Sequence, residues 1–268
     1  MKWWMALVLL ACSSSGNDAS DTGSDSATED SAVQDTGSDV ARDVGDIDCD
    51  LEEVVTFSTP DGVELEAFLR GAGAGSPVAV LLHMIPPFND RSNWPAAFQD
   101  ELQSQGWTVL NVDRRGAGGS GGTARDAFEG PGGAADVTGA VAFLDAHPCG
   151  FDLGTLAILG ASNGTTSALD YTVAAAADDR PDPVVLAFLS GGSYTENQND
   201  VTGAMTVPTL FAWGTGDGGP NTWATGAQSD APEGWSFASY ESGAHGTALL
   251  TQHPESVSAI AAHLASAR

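Results

Sequence analysis

The stretch ILGASNGTT, Ile158 to Thr166, sets Ser162 between two glycines at the end of an apolar run. Gly160-Ala161-Ser162-Asn163-Gly164 is a Gly-x-Ser-x-Gly pattern, suited to a sharp strand-to-helix turn that tolerates only small neighbours and lifts the central hydroxyl above a sheet. A serine hydroxyl is a poor nucleophile until a base takes its proton, and the base needs a third group to orient it. Asp217 follows the apolar run PTLFAWG, and His245 lies in the small-residue stretch ESGAHGTALL. Ser162, Asp217 and His245, in that order, therefore offer an alcohol, an acid and an imidazole, the groups that acyl transfer through a covalent intermediate requires. The competing use of the same pentapeptide is a Gly-rich helix start capped by Ser162 or Asn163, and Asp113 is the second candidate for the acid.

Positioning three residues so far apart needs a rigid frame. LEEVVTFSTPDGVELEAFLRG alternates on either side of Thr59-Pro60-Asp61-Gly62, a hairpin signal. PVAVLLHM is a continuous apolar run, as in a strand buried on both faces. A helix is expected from Ser92 to Ser104, with Trp94, Phe98 and Leu102 at four-residue spacing. WTVLNVD, TLAILG, PVVLAFLSGG, PTLFAWG and WSFASYE read as further strands; GGAADVTGAVAFLDAHP, NGTTSALDYTVAAAA and Pro254 to Ala267 read as helices. The order predicts an α/β fold: a mostly parallel sheet covered by helices on both faces, with an antiparallel N-terminal hairpin. In open sheets of this kind sites gather at the carboxyl ends of strands, where Ser162, Asp217 and His245 all fall.

From Leu51 to Arg268 the chain resembles the α/β-hydrolase family, nearest to compact dienelactone-hydrolase-like serine esterases. The resemblance is carried by LLHM, VDRRGAGGS, GASNG, WGTGD and GAHGTALL. It implies Ser162 as nucleophile, His245 as general base and acid, and Asp217 as the residue orienting the imidazole. One oxyanion donor would be the N–H of Asn163; the other comes from the loop after LLHM, where Pro86 and Pro87 have no N–H and the resemblance favours Ile85 over Met84. His83 would be structural, Asp113 part of a structural turn, and His147, His253 and His263 surface or capping residues. Ser193 to Val207 leaves too little chain for the large cap domain common in the family, so the expected site is open, with Tyr194, Trp213 and Trp223 either wall candidates or ordinary core or surface packing. The implied activity is hydrolysis of a small-molecule carboxylic ester, lactone or thioester, with no metal and no cofactor. The alternatives are a non-catalytic surface lipoprotein that uses the scaffold for binding, or a peptidase or cofactor-free haloperoxidase-like enzyme.

The net charge of −27 includes a dense acidic stretch between Asn17 and Asp50, and the remainder is also acidic. Such a surface repels phosphate backbones, which excludes nucleic acid as a partner, and it favours small neutral or cationic esters over polyanions. The only lysine is Lys2, so no Walker-type or Schiff-base lysine is available. MKWWMALVLLAC combines Lys2 with an apolar segment too short to span a bilayer, which takes roughly 20 residues. Leu9-Leu10-Ala11-Cys12 resembles the lipobox of bacterial lipoproteins. The expected organisation is a signal peptide over 1–12, an acidic Ser/Asp/Gly-rich disordered linker over 13–48 and a catalytic domain over 49–268. The protein would be exported and held to the bacterial cell envelope only by a lipid on Cys12, on the periplasmic or cell-surface side of the outer membrane. Carboxylates in the linker match no twelve-residue calcium loop. Cys49 and Cys149 are a disulfide candidate for an oxidising compartment. Replacing Cys12 by serine is expected to release the protein from the membrane fraction, measured by immunoblotting of fractionated cells; unchanged retention would refute the anchor.

Overall fold

The computed structural model describes residues 47–268; the signal segment, Cys12 and all but the last two linker residues lie outside the described residues. Eight strands form one sheet: β1 (Glu52–Ser58), β2 (Glu64–Arg70), β3 (Pro77–Leu82), β4 (Thr108–Val112), β5 (Asp152–Ala161), β6 (Val185–Leu189), β7 (Thr209–Gly214) and β8 (Ser236–Tyr240). Their spatial order is β1-β2-β4-β3-β5-β6-β7-β8. The β1–β2 and β2–β4 pairs are antiparallel, and every pair from β4 to β8 is parallel. The α/β class and the N-terminal hairpin are as the apolar pattern predicts.

The helices are α1 (Ala96–Ser104), α2 (Gly132–Asp145), α3 (Gly164–Ala175), α4 (Glu196–Asn199), α5 (Val201–Ala204), α6 (Gly218–Ser229), α7 (Ala248–Gln252) and α8 (Glu255–Ala265). Alternation along the strands divides the core. Val78, Val80 and Leu82 of β3 face a cluster that includes Val141 and Leu144 of α2, Leu169 of α3 and Trp223 of α6. Ala79 and Leu81 face the opposite cluster, with Phe98 and Leu102 of α1 and Ile260 and Leu264 of α8. Both faces are covered, which is why the central strands are apolar throughout. Among the described residues no helix is long and apolar enough to cross a membrane.

Two local expectations are corrected. The helix expected from Ser92 begins at Ala96, because Pro95 holds Trp94 in an extended conformation (φ −79°, ψ 114°) and leaves Arg91–Asn93 as a separate 3-10 turn. Helix α6 was not anticipated from the sequence: its Gly218-Gly219-Pro220 start reads as a loop, yet proline is tolerated in a first helical turn. Burial of Trp223, Ala224 and Ala227 against the sheet holds that helix in place.

Long-range ties lock the frame. Cys49 and Cys149 form a disulfide that closes a loop of sequence separation 100, joining the start of β1 to the turn before β5. Behind the carboxyl end of β4, the nearly buried Arg115 binds Asp136 of α2 (Nε to Oδ1, 2.7 Å) and grips Asp61 of the β1–β2 hairpin with both terminal nitrogens (2.8 and 3.0 Å). The hydrogen bonds from Arg115 hold the Asp61 carboxyl well below the usual range, whereas burial pushes Asp136 up. Replacing Asp136 by alanine leaves a buried guanidinium half unpaired and is expected to cost about 3–5 kcal/mol in urea denaturation. Replacing Cys149 by serine is expected to cost about 2–5 kcal/mol by the same measurement, through the freedom regained by the unfolded chain.

Candidate active site

The topology reverses direction between β3 and β5. The chain passes from β3 outward to β4 and then returns to the other side of β3 with β5, so the loops leaving β3 and β5 diverge above a crevice. Leu82 pairs with Gly160 at this end, which places the His83–Pro87 loop beside the turn that carries Ser162.

Ser162 has φ +49°, in the left-handed region that residues with a Cβ rarely occupy. Its surroundings explain both flanking glycines. A Cβ at Gly160 would lie 2.6 Å from the backbone nitrogen of Thr165, and one at Gly164 would strike the carbonyl oxygen of Leu82. The turn is held by Ser162 N–H donating to Leu189 O (2.7 Å) and by Thr165 donating to Ser162 O through its N–H (3.0 Å) and its hydroxyl (2.6 Å). Gln198 of α4 supports this arrangement: its Nε2 donates to Thr165 Oγ1 (2.9 Å) and its Oε1 accepts from Thr166 Oγ1 (3.1 Å).

The loops after β7 and β8 are tied to each other by Thr215 N–H donating to Tyr240 O and Gly216 N–H donating to Ser242 O, both at 2.8 Å. Asp217 and His245 therefore meet, with Nδ1 of His245 and Oδ2 of Asp217 2.7 Å apart. On the other side of the ring, Nε2 lies 2.7 Å from Ser162 Oγ. Because a carboxylate only accepts, Nδ1 carries the proton and Nε2 presents its lone pair to the serine hydroxyl. This is the arrangement in which an imidazole deprotonates an alcohol while a carboxylate holds its tautomer.

The N–H groups of Ile85 and Asn163 have no acceptor among the described residues. Asn163 caps α3, whose first N–H groups have no intrahelical partner. His83 is fully buried: Nδ1–H donates to Met84 O (2.8 Å), and Nε2 accepts from Arg114 N–H (2.9 Å). Burial and the neighbouring guanidinium bring its pKa down to about 3, so the ring is neutral. Asp113 is engaged elsewhere, accepting from Arg91 N–H (2.7 Å) and pairing with the Arg91 guanidinium. His147 stacks on Phe151, and His253 contacts Glu255 and Tyr240. His263, expected as a surface or capping residue, lies in the last turn of α8 but is buried, and burial lowers its pKa.

A groove of about 1000 Å³ opens between the loop after β6, with α4 and α5, and helix α6. Tyr194 and Trp223 line this groove, whereas Ser162 and His245 do not, so it does not by itself make them walls of the site. Trp213 takes the core-packing alternative: β7 is buried on both faces, so this side chain sits in the core and its Nε1–H donates to Asn221 Oδ1 (2.7 Å). Two groups near the site escaped the sequence reading, Gln198 and Arg114. Both are polar residues in unremarkable segments, and no local spacing marks a side chain whose partners are remote in the chain. Among the described residues no group of three or more His, Cys, Asp or Glu could hold a metal ion.

Comparison with known proteins agrees with this architecture. An esterase of Pyrococcus furiosus superposes with a TM-score of 0.66 at 15% identity, covering 81% of this chain and 91% of its own. A dienelactone hydrolase from Anabaena variabilis gives 0.60 at 17% identity (80% and 95% covered), and an esterase from Rhodococcus sp. gives 0.58 at 15% (80% and 99%). At these identities the likeness is one of fold, that of the α/β-hydrolases. No curated protein sequence matches the chain. The model of the X-Pro dipeptidyl-peptidase (S15) family matches residues 61–264, most of the chain, and the protein belongs to that family of α/β-hydrolases.

Proposed function

We propose that the protein is a serine hydrolase that cleaves a carboxylic ester, lactone or thioester through an acyl-enzyme. One observation carries the reading: the unbroken Ser162–His245–Asp217 relay, with 2.7 Å at each link, at a serine whose backbone is held at positive φ. In this reading His245 takes the Ser162 proton as Oγ attacks the carbonyl carbon, then returns it to the leaving oxygen or sulfur. A water activated by the same imidazole releases the acid and regenerates the serine. The N–H groups of Asn163 and Ile85 would receive the oxyanion, a contribution typically worth about 3–4 kcal/mol per donor.

Family membership favours one second reading, release of X-Pro dipeptides from peptides, in which the same proton return would serve an amine leaving group. We also infer export and lipid anchoring at Cys12; the Cys49–Cys149 disulfide, a cross-link suited to an oxidising compartment, supports export.

Turnover of a panel of p-nitrophenyl esters from acetate to decanoate, beside X-Pro p-nitroanilides, separates the two activities. Ser162→Ala is expected to lower kcat by roughly 10⁴–10⁶-fold and to abolish labelling by a fluorophosphonate, with thermal stability retained. Asp217→Asn is expected to lower kcat by about 10⁴-fold by allowing the wrong imidazole tautomer. A folded wild-type protein that neither turns over any substrate nor forms an adduct would return the protein to the class of binding scaffolds.

A further inference from the structure

Arg114 is fully buried, yet no carboxylate touches it. Its guanidinium donates only to neutral acceptors: Nη1 to His83 O (3.2 Å), Met84 O (3.4 Å) and Asn163 Oδ1 (2.9 Å), and Nη2 to Ala127 O (2.7 Å) and Ser167 Oγ (2.8 Å). Nε has no partner. Burial lowers its pKa to about 10, which still leaves it charged at neutral pH. Asp136, the carboxylate that influences it, is bound by Arg115. Burying a cation costs several kcal/mol, and an apolar side chain of similar volume would often be as stable or more so. Core stability alone therefore gives no reason for this residue.

The partners of the guanidinium do give one. Met84 O belongs to the same peptide group as Ile85 N–H, and in a trans peptide the two point in opposite directions. Clamping that oxygen between His83 Nδ1–H and Arg114 Nη1 turns Ile85 N–H to the side away from the guanidinium. The same Nη1 holds the Asn163 side chain, whose backbone N–H is the other free donor. Backbone and side chain of Arg114 thus meet both sides of the switch point, the loop after β3 and the turn after β5.

We propose that Arg114 is the positioning residue of the oxyanion site: one guanidinium sets the Ile85 and Asn163 N–H donors in register, and its charge, matched by no contacting carboxylate, adds to the field at the developing oxyanion. The proposal rests on Ser162 acting as an acyl-transfer nucleophile. Lysine cannot replace it, since a single ammonium nitrogen cannot span the acceptors that two terminal nitrogens reach.

The test uses full-length protein, a p-nitrophenyl ester and an aryl trifluoromethyl ketone, which forms a tetrahedral adduct with an active serine. Arg114→Lys and Arg114→Met are expected to lower kcat by about 10²-fold with KM within about twofold, and to weaken ketone affinity by the same factor as kcat. Asn163→Ala keeps the backbone donor but removes its anchor, and it stands in if the Arg114 variants do not fold; about a tenfold loss in both kcat and ketone affinity is expected. The double variant Arg114→Lys with Asn163→Ala should be no worse than Arg114→Lys alone, because the two act through one contact. Folded Arg114 variants with wild-type kcat and ketone affinity would overturn the proposal, as would an unaffected Asn163→Ala or strictly additive losses in the double variant. Failure of the wild-type enzyme itself, with no turnover and no adduct, would mark failure of the hydrolase reading, and this proposal would fall with it.

Discussion

One backbone torsion organises the functional end of this molecule. Ser162 at φ +49° is a strained conformation, worth of order 1–3 kcal/mol, and it persists only because its neighbours leave no other path. Gly164 has no space for a side chain against the end of β3, nor Gly160 against the backbone of the turn itself, while Leu189 and Thr165 hold the turn from both sides. Relaxing that torsion would withdraw the hydroxyl from His245. The relay, the free N–H groups and the helix start of α3 all follow from the same constriction.

The strain is affordable because the turn sits on the most thoroughly buried part of the sheet. β3, β5 and β6 are packed on both faces near the site, so their carboxyl ends cannot drift. The loops after β7 and β8 are tied to one another before they deliver Asp217 and His245. A rigid strand end therefore presents the Ser162 hydroxyl, and two braced loops present the imidazole and the carboxylate that meet it.

Charge is distributed with equal economy. The whole chain has nine lysines and arginines against 36 acids, yet Arg114 and Arg115 are both placed inside. Arg115 is neutralised by Asp61 and Asp136 and serves the frame; Arg114 touches only neutral acceptors and faces the site. Withdrawing two cations from the surface leaves it more acidic still.

Much of this was legible in the sequence, because strand periodicity, glycine spacing and residue order are written locally. PVAVLLHM had the mark of an interior strand, Gly-x-Ser-x-Gly could form the tight turn, and Asp217 and His245 followed their strands in order. The start of α1, helix α6 and the burial of His263 were not legible, since each depends on what packs against it. Arg114 is the clearest case: in Asp-Arg-Arg-Gly the two arginines look alike, and only their partners, 13 to 54 residues away, separate an ion pair from a guanidinium that touches only neutral acceptors. Sequence by itself thus determined the order of elements and the chemical groups available, whereas tertiary structure decided their distances and environments, because hydrogen-bond geometry and desolvation arise from neighbours that the chain brings close only by folding.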